Sequence, residues 1–560
     1  MEKPWLKFYE EGVPASIPYP DTPLHHNLED SARTHPDTIA TIYYDATLTY
    51  RELNALADRF AAGLQKMGVK KGDRVALYLP NCPQFIIAYY GTLKAGGIVV
   101  PCNPLYVARE LEHQLNDSGS ETVVVLSKLY PVVKAIRSRT PVKQVIVTNI
   151  KEFFPPVLRF LFTLLKEKKE GHVVDISRDA GTVWFKKFMA DAPAKPQPVD
   201  ATWRDTACLL YTGGTTGVPK AAELSHRNLV SNAAQCAVWS SGQEGGERIL
   251  AALPLFHSYG MTTCMNVGIH LASPIILLPQ FKLKDVLEAI TKHQPTIFPG
   301  VPTMYVAINN YPDIADYDLQ SIRACISGAA GLPVEVQQKF QSLTGGRLVE
   351  GYGLSEASPV THGNPVFGDC RIGTIGVPFP DTDAKIVDLE TGTQTLSPDE
   401  VGELAVKGPQ VMKGYWNRPD ETTLVLQEGW LHTGDIARMS EDGYFQIVDR
   451  KKDMIIAGGF NVYPRDVEEV LYQNPKVKEA VVAGVPDEYL GEIVKAYIVL
   501  KEGETATEQE IIEFCRQNLA KYKAPRAVEF RKELPKTMVG KILRRILVEE
   551  ERRKAAEAGE

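Results

Sequence analysis

The sequence predicts an α/β protein: a large N-terminal domain of doubly wound sheets plus a small β-rich subdomain, followed by a small α+β C-terminal domain. Three observations carry this. Over roughly the first 450 residues short apolar runs alternate with helical patterns, the mark of parallel βαβ units. After about residue 370 the texture turns to short strands and turns, with pairs such as Gly434-Asp435 and Asp442-Gly443. Beyond the charged run Asp449-Arg450-Lys451-Lys452-Asp453 a short α+β pattern closes the chain.

Residues 50–67 have the periodicity of a helix. The β-branched runs at 75–79, 98–100, 123–126 and 145–147 read as buried strands, as do 207–210, 275–278 and 297–298. Loops at the C-terminal ends of such strands are where open α/β sheets bind ligands. In the last part, 467–472 reads as a helix, 480–485 and 496–500 as strands, and 508–518 and 541–558 as helices. There is no internal repeat and no low-complexity segment. The predicted division is 1–449, a linker at 450–453, and 454–560. By itself the five-residue charged run fits a solvated loop.

A chain of 560 residues exceeds one ordinary core. Its 44% hydrophobic and 23% charged content is that of a soluble globular protein. The net charge of −7 gives no support to nucleic-acid binding. The eight cysteines form no Cys-x-x-Cys pair, which argues against a disulfide framework or zinc site and suits a reducing cytoplasm. Met1-Glu2-Lys3-Pro4-Trp5 has no signal-peptide pattern. No apolar run reaches the roughly 18 residues of a membrane span. In 157–165 a helix would gather Val157, Leu158, Phe160, Leu161, Phe162, Leu164 and Leu165 on a wide apolar face, with Arg159, Thr163 and Lys166 opposite and Lys168 and Lys169 following. The pattern fits a helix lying in a membrane interface and equally one packed on its own domain.

Four segments carry candidate chemistry. Tyr211-Thr212-Gly213-Gly214-Thr215-Thr216-Gly217-Val218-Pro219-Lys220 follows a strand-like run. Its glycines let backbone amides approach an anion, its threonines donate to phosphate oxygens, and Lys220 adds positive charge. It is not a Walker loop, because Val218-Pro219 separate Gly217 from Lys220. In Glu350-Gly351-Tyr352-Gly353-Leu354-Ser355-Glu356, a tyrosine between glycines suits purine stacking and the final acid suits Mg²⁺. In Trp430-Leu431-His432-Thr433-Gly434-Asp435, an acid after a glycine turn suits a ribose diol. In Pro535-Lys536-Thr537-Met538-Val539-Gly540-Lys541, glycine presents a flexible point charge; alone it fits a solvated lysine before the terminal helix.

Taken together, the order and spacing of these segments resemble the adenylate-forming superfamily of acyl-CoA synthetases, firefly-luciferase-like enzymes and peptide-synthetase adenylation domains. The likeness runs from about residue 24 to 547. With Lys407-Gly408-Pro409-Gln410-Val411-Met412, Gly459-Phe460-Asn461-Val462-Tyr463-Pro464 and Gly540-Lys541-Ile542-Leu543-Arg544-Arg545, it is most similar to bacterial long-chain-fatty-acid–CoA ligases. The resemblance implies ATP and CoA as co-substrates, Mg²⁺ as cofactor, and a fatty acid converted through acyl-AMP. It implies that Thr212, Gly213, Gly214, Thr215, Thr216, Gly217 and Lys220 hold the β- and γ-phosphates, with Thr212 and Glu356 at the metal. Tyr352 and Gly353 would face adenine, Ser355 the α-phosphate, and Gly328 and Ala329 the adenine and acyl pocket. Asp435 and Arg450 would hold the ribose, and Lys541 would act catalytically at the α-phosphate. His257, by itself also readable as a satisfied, partly buried histidine, would stand beside the acyl carbonyl, with Val301 and Pro302 lining the acyl tunnel. Lys452 would lie at a hinge that makes the C-terminal domain mobile, and Gly458, Gly459 and Asn461 would form the CoA channel. Homodimers are common among such relatives. Two departures stand out: Ile456 where some relatives place a lysine on the adenylate, and Ala221-Ala222 where relatives often have glycine after the loop lysine. The alternatives are a ligase for a medium-chain or aryl acid, one that loads a carrier protein, and a lipid-binding protein at the membrane that does not turn over ATP.

Overall fold

A computed structural model describes residues 2–212, 219–451, 453–457, 460–487, 491–536 and 542–558. The chain divides into two compact units, Met1–Asp383 with Lys407–Leu431, and Ala384–Val406 with His432–Glu560. This division differs from a boundary at 449/450: much of the β-rich subdomain groups with the C-terminal residues. One local reason is Asp449, whose Oδ2 accepts from the Arg465 amide at 2.8 Å and whose Oδ1 lies 3.8 Å from the Arg544 guanidinium.

The first unit is built on an eight-stranded sheet in the order Gly414–Tyr415, Lys220–Ser225, Thr206–Thr212, Ile98–Pro101, Arg74–Tyr78, Thr122–Leu126, Gln144–Thr148 and Thr182–Trp184. The last six are parallel to one another, and Lys220–Ser225 runs antiparallel to both its neighbours. Strands such as Thr122–Leu126 are buried throughout, as expected of a sheet covered on both faces. The helix Tyr50–Lys66 opens on a capping box in which Thr49 and Glu52 satisfy each other's amides, and it buries Leu53, Ala57, Phe60 and Leu64 along one stripe. The helix Pro83–Lys94 is buried along its whole length. A Cβ on Gly91 would stand 2.7 Å from the Phe60 ring, so glycine permits the close approach of these two helices.

A second set of strands includes Ile249–Ala251, Ile275–Leu277 and Ile39–Tyr43, with Ala46–Thr49 folding back as a hairpin. The strand expected at 297–298 reduces to bridges made by Ile297 to Ile249 and Ala324. Beyond them come Ala324–Ser327, Arg347–Gly353, Val360–Gly363 and Val377–Pro378. Seven of the eight cysteines are buried free thiols, and Cys370 is partly buried.

Residues Pro156–Leu165 form a helix, as expected, but its apolar residues divide. Phe162 turns inward against the rings of Phe154 and His172. Val157, Phe160, Leu161, Leu164 and Leu165 are exposed, Val157 by 72%. Arg159 does not join the flanking lysines, because its guanidinium donates to the Phe154 carbonyl at 3.1 Å. Among the described residues no helix is long and apolar enough to cross a membrane.

The second unit contains antiparallel strands Trp430–Met439 and Phe445–Arg450 beside Gly402–Lys407 and Asp383–Val387. It also holds a five-stranded sheet of Phe460–Val462, Ile455–Ala457, Gly491–Leu500, Val477–Asp487 and Ala527–Phe530. Helices Pro464–Gln473 and Glu508–Asn518 cover a core of Val467, Leu471, Val482, Ala496, Ile511 and Cys515. The last helix is Arg544–Ala558, and its Leu547 is buried with Val481, Tyr497 and Leu534.

Candidate active site

The glycine- and threonine-rich segment bridges two antiparallel strands. Thr206–Thr212 pairs with Lys220–Ser225, and Thr212 stands directly across from Lys220. The sheet therefore fixes both ends of the loop. Gly213, Gly214, Thr215, Thr216 and Gly217 lie outside the described residues.

Glu356 sits in a single turn of 3₁₀ helix, Ser355–Ala357, just after the strand Arg347–Gly353. Its backbone carbonyl accepts from the Met412 amide at 2.7 Å. Its Oε1 accepts from the Tyr415 hydroxyl at 2.9 Å, with the Thr212 hydroxyl at 3.4 Å. A carboxylate and a hydroxyl converging from two chain segments are the hard oxygen donors that Mg²⁺ takes together with phosphate oxygens. The residues present fit that ion.

Lys220 is partly buried, its side chain 12% exposed, and it has two partners. The ammonium lies 2.6 Å from Glu421 Oε2 and 4.0 Å from the centroid of the Tyr415 ring. Tyr415 belongs to the edge strand Gly414–Tyr415, which pairs with Lys220–Ser225. Burial and the Glu356 carboxylate drive the Tyr415 phenol well above its ordinary range, so it stays protonated and donates.

Tyr352 pairs with His362 across adjacent strands, and their rings meet edge to face at 5.9 Å. Ser355 Oγ lies 3.1 Å from Ser258 Oγ, which brings the turn before Glu356 beside the segment that begins at His257. The His257 ring Nδ1 accepts from the Tyr259 amide at 3.3 Å. In the neutral imidazole that assignment leaves the proton on Nε2, which makes the ring a donor on its other side. Residues Met261–Asn266 form a buried π-helical stretch, a widened turn frequent at functional sites. Gly328 lies against this segment: a Cβ there would stand 3.0 Å from the Tyr259 ring, whose hydroxyl donates to the Ile326 carbonyl at 2.6 Å. Ala329 adopts a left-handed φ of 70°. Val301 caps the helix Pro302–Asn309 and is buried with Pro302 at its start.

The second unit carries the other expected residues. Asp435 on strand Trp430–Met439 pairs with Arg450 on strand Phe445–Arg450. Gly434 has a left-handed φ of 72° and donates its amide to Glu403 Oε1 at 2.9 Å. The Asp435 amide donates to the Thr433 hydroxyl at 3.2 Å. Asn461 pairs with Ile456 in a hairpin. Lys452, Gly458, Gly459 and Lys541 lie outside the described residues.

The sequence reading missed Tyr415 and Glu421. Neither stands in a glycine-rich motif, and each reaches Glu356 or Lys220 only through the pairing of the edge strand.

An α/β fold of this kind, with a large N-terminal and a smaller C-terminal part, is that of the adenylate-forming ligases. The chain belongs to the AMP-binding enzyme family: the family model matches residues 28–416, and the AMP-binding enzyme C-terminal domain matches 466–541. Its relatives include a long-chain-fatty-acid--CoA ligase of Bacillus subtilis (strain 168), 49% identical over 98% of both chains. The solved structure of ATP-bound MatB from Rhodopseudomonas palustris superposes with a TM-score of 0.83 at 30% identity, covering 95% of this chain and 99% of that one. That of the anthranilate CoA ligase AuaEII in complex with anthranoyl-AMP gives 0.84 at 27% identity, covering 96% and 99%.

Proposed function

We propose that the protein is an ATP-dependent long-chain-fatty-acid–CoA ligase that works through an acyl-adenylate. The observation that carries this reading is the convergence of Thr212, Lys220 and Glu356 at the loop end of one strand pair, in a chain similar along its whole length to a ligase of that name. A fatty-acid carboxylate attacks the α-phosphate of ATP, forming the acyl–phosphate bond and expelling pyrophosphate. The CoA thiol then attacks the acyl carbon, the thioester forms, and AMP leaves. No enzyme nucleophile is needed, so catalysis is a matter of positioning and of neutralising charge.

In this reading Thr212, Lys220 and the 213–217 loop hold the β- and γ-phosphates, and Ser355 and Lys541 serve the α-phosphate. Thr212 and Glu356 hold Mg²⁺, which when bound neutralises phosphate charge. Tyr352 and Gly353 face adenine, with Gly328 and Ala329 alongside, and Asp435 and Arg450 hold the ribose. His257 Nε2–H donates to the acyl carbonyl oxygen, and Val301, Pro302 and the π-helical stretch line the acyl tunnel. A hinge at 450–453, centred on Lys452, divides a domain of residues 1–449 from one of residues 454–560. It lets Lys541 serve adenylation, and Gly458, Gly459 and Asn461 the CoA step.

The exposed helix Pro156–Leu165 adds a partner to the reading. Its apolar side chains and the exposed Lys166, Lys168 and Lys169 suit the surface of an anionic bilayer, from which a poorly soluble fatty acid is drawn at the cytoplasmic face. Homodimers are common among such relatives, and light scattering reads whether this chain forms one.

The test is acid-dependent AMP release across acetate, hexanoate, palmitate and 4-coumarate, with and without CoA and with Lys541→Ala. The reading expects fast, CoA-dependent turnover with palmitate that falls on the order of 10²–10³-fold in the variant. Preference for 4-coumarate would replace it with an aryl-acid ligase. Acyl-AMP without thioester would point to a carrier-protein acceptor. No AMP from any acid would revive the lipid-binding alternative.

A further inference from the structure

The partly buried Lys220 ammonium occupies a position in which a carboxylate and an aromatic face share it. Glu421 is itself held in place. It lies in the first turn of the helix Pro419–Val425, and its Oε1 is 3.9 Å from the Arg418 side chain. Arg418 is anchored in turn on Asp117 at 2.7 Å, and Asp117 accepts from the Tyr211 hydroxyl at 2.8 Å, one residue before Thr212. The pair is therefore built into the wall of the strand pair. An ammonium engaged by a carboxylate at 2.6 Å has one of its three protons committed and part of its charge neutralised, so the carboxylate competes with an incoming anion for it. A triphosphate carries several negative charges against one and wins the exchange, at a cost in affinity. Tyr415 has a different task. Its ring supports the ammonium through a cation–π contact, and its hydroxyl pins Glu356 at one oxygen, Oε1.

We propose that Tyr415 and Glu421 are positioning residues of the triphosphate subsite: Tyr415 orients Glu356 for the divalent cation, and Glu421 restrains Lys220 as an internal anion that competes with the β- and γ-phosphates. The inference rests on the reading that Thr212, Lys220 and Glu356 serve the triphosphate. It makes the protein's affinity for ATP adjustable without any change at a residue that touches nucleotide. AMP lacks the β- and γ-phosphates and is indifferent to both residues.

Calorimetric binding of ATP, with Mg²⁺ varied, and of AMP to the full chain tests this, using Glu421→Gln, Tyr415→Phe and Lys220→Met. Both positioning substitutions preserve side-chain volume, and thermal unfolding run alongside reports whether each variant is folded. Glu421→Gln is expected to tighten ATP by about two- to fivefold, the range of a partly exposed ion pair, and to leave AMP unchanged. Tyr415→Phe is expected to raise several-fold the Mg²⁺ concentration that half-saturates ATP binding, again with AMP unchanged. Equal shifts for ATP and AMP would mean a merely structural role and would overturn the proposal, as would unchanged or weaker ATP binding by Glu421→Gln. Lys220→Met separates the two levels. If it weakens ATP and not AMP while Glu421→Gln does nothing, the subsite reading stands and this inference fails. If it leaves ATP binding intact, the subsite reading fails and takes the inference with it.

Discussion

Gly353 has no room for a side chain: a Cβ there would stand 2.1 Å from the Pro359 carbonyl oxygen, a backbone atom that cannot swing aside. The residue sits between Tyr352 and the turn that carries Ser355 and Glu356. Gly353→Ala is therefore expected to lower stability by about 1–3 kcal/mol, read as a fall in denaturation midpoint, and to weaken AMP and ATP alike. Its equal effect on the two nucleotides distinguishes it from the substitutions at Tyr415 and Glu421. A second single-residue prediction concerns pH. The buried His226 accepts the Leu24 amide on Nδ1 at 3.1 Å, and burial, followed by the neighbouring His25, pushes its pKa down to about 3. In the unfolded chain it returns to the ordinary value near 6.5. Between those values the unfolded chain binds the extra proton, so stability is complete above about pH 6.5 and drains away as pH falls toward 3. The slope is about 1.4 kcal/mol per pH unit from this group. His226→Asn keeps an acceptor for Leu24 and removes the titration. Urea unfolding at several pH values should show a shallower acid slope in that variant, and an unchanged slope would refute the assignment.

Secondary elements that close on their own residues were legible. The helix Glu508–Asn518 begins where Thr507 and Glu510 form a capping box, and the expected range matches it. The parallel strands announced themselves as β-branched runs. Less legible was what partners an element from afar. The wide apolar face read into 157–165 is correct as a pattern, yet periodicity says nothing about which residues find a cover; Phe162 does, through Phe154 and His172, and its neighbours do not. The edge strand Gly414–Tyr415 is two residues long and carries no periodicity at all. Its contribution to the site arises from pairing with Lys220–Ser225, so Tyr415 could not be found from local pattern. The helix Pro156–Leu165 supports an element-scale prediction. Wild type should float with liposomes containing anionic lipid, and Phe160→Glu/Leu164→Glu, both on the exposed face, should not. Equal flotation of the two would remove the lipid partner from the functional reading without touching the chemistry.

At the scale of the whole molecule, the second unit is tied together through one arginine. Arg544 at the start of the last helix donates to Asp453 and Glu468 at 2.7 Å each and lies 3.8 Å from Asp449. Burial works against its charge, but the three carboxylates outweigh it and raise its already high pKa, so the guanidinium stays charged at any accessible pH. Arg544→Met leaves those acids uncompensated and is expected to cost about 3 kcal/mol, confined to this unit. Hydrogen exchange should rise in strands Val477–Asp487 and Gly491–Leu500 and stay unchanged in Thr206–Thr212. The grouping of the β-rich subdomain with the C-terminal residues was not legible from texture, because contacts such as Asp449 to Arg465 and Arg544 join residues that no local pattern connects. The order of the chain has a further consequence for biosynthesis. Thr212 and Lys220 leave the ribosome about 200 residues before Tyr415, which at 5–20 residues per second is roughly ten to forty seconds. During that interval strands Thr206–Thr212 and Lys220–Ser225 exist with a bare edge, and neither the hydroxyl that donates to Glu356 nor the carboxylate beside Lys220 has been made. A nascent chain released before Tyr415 would expose that edge to other strands, because the segment that covers it is made late.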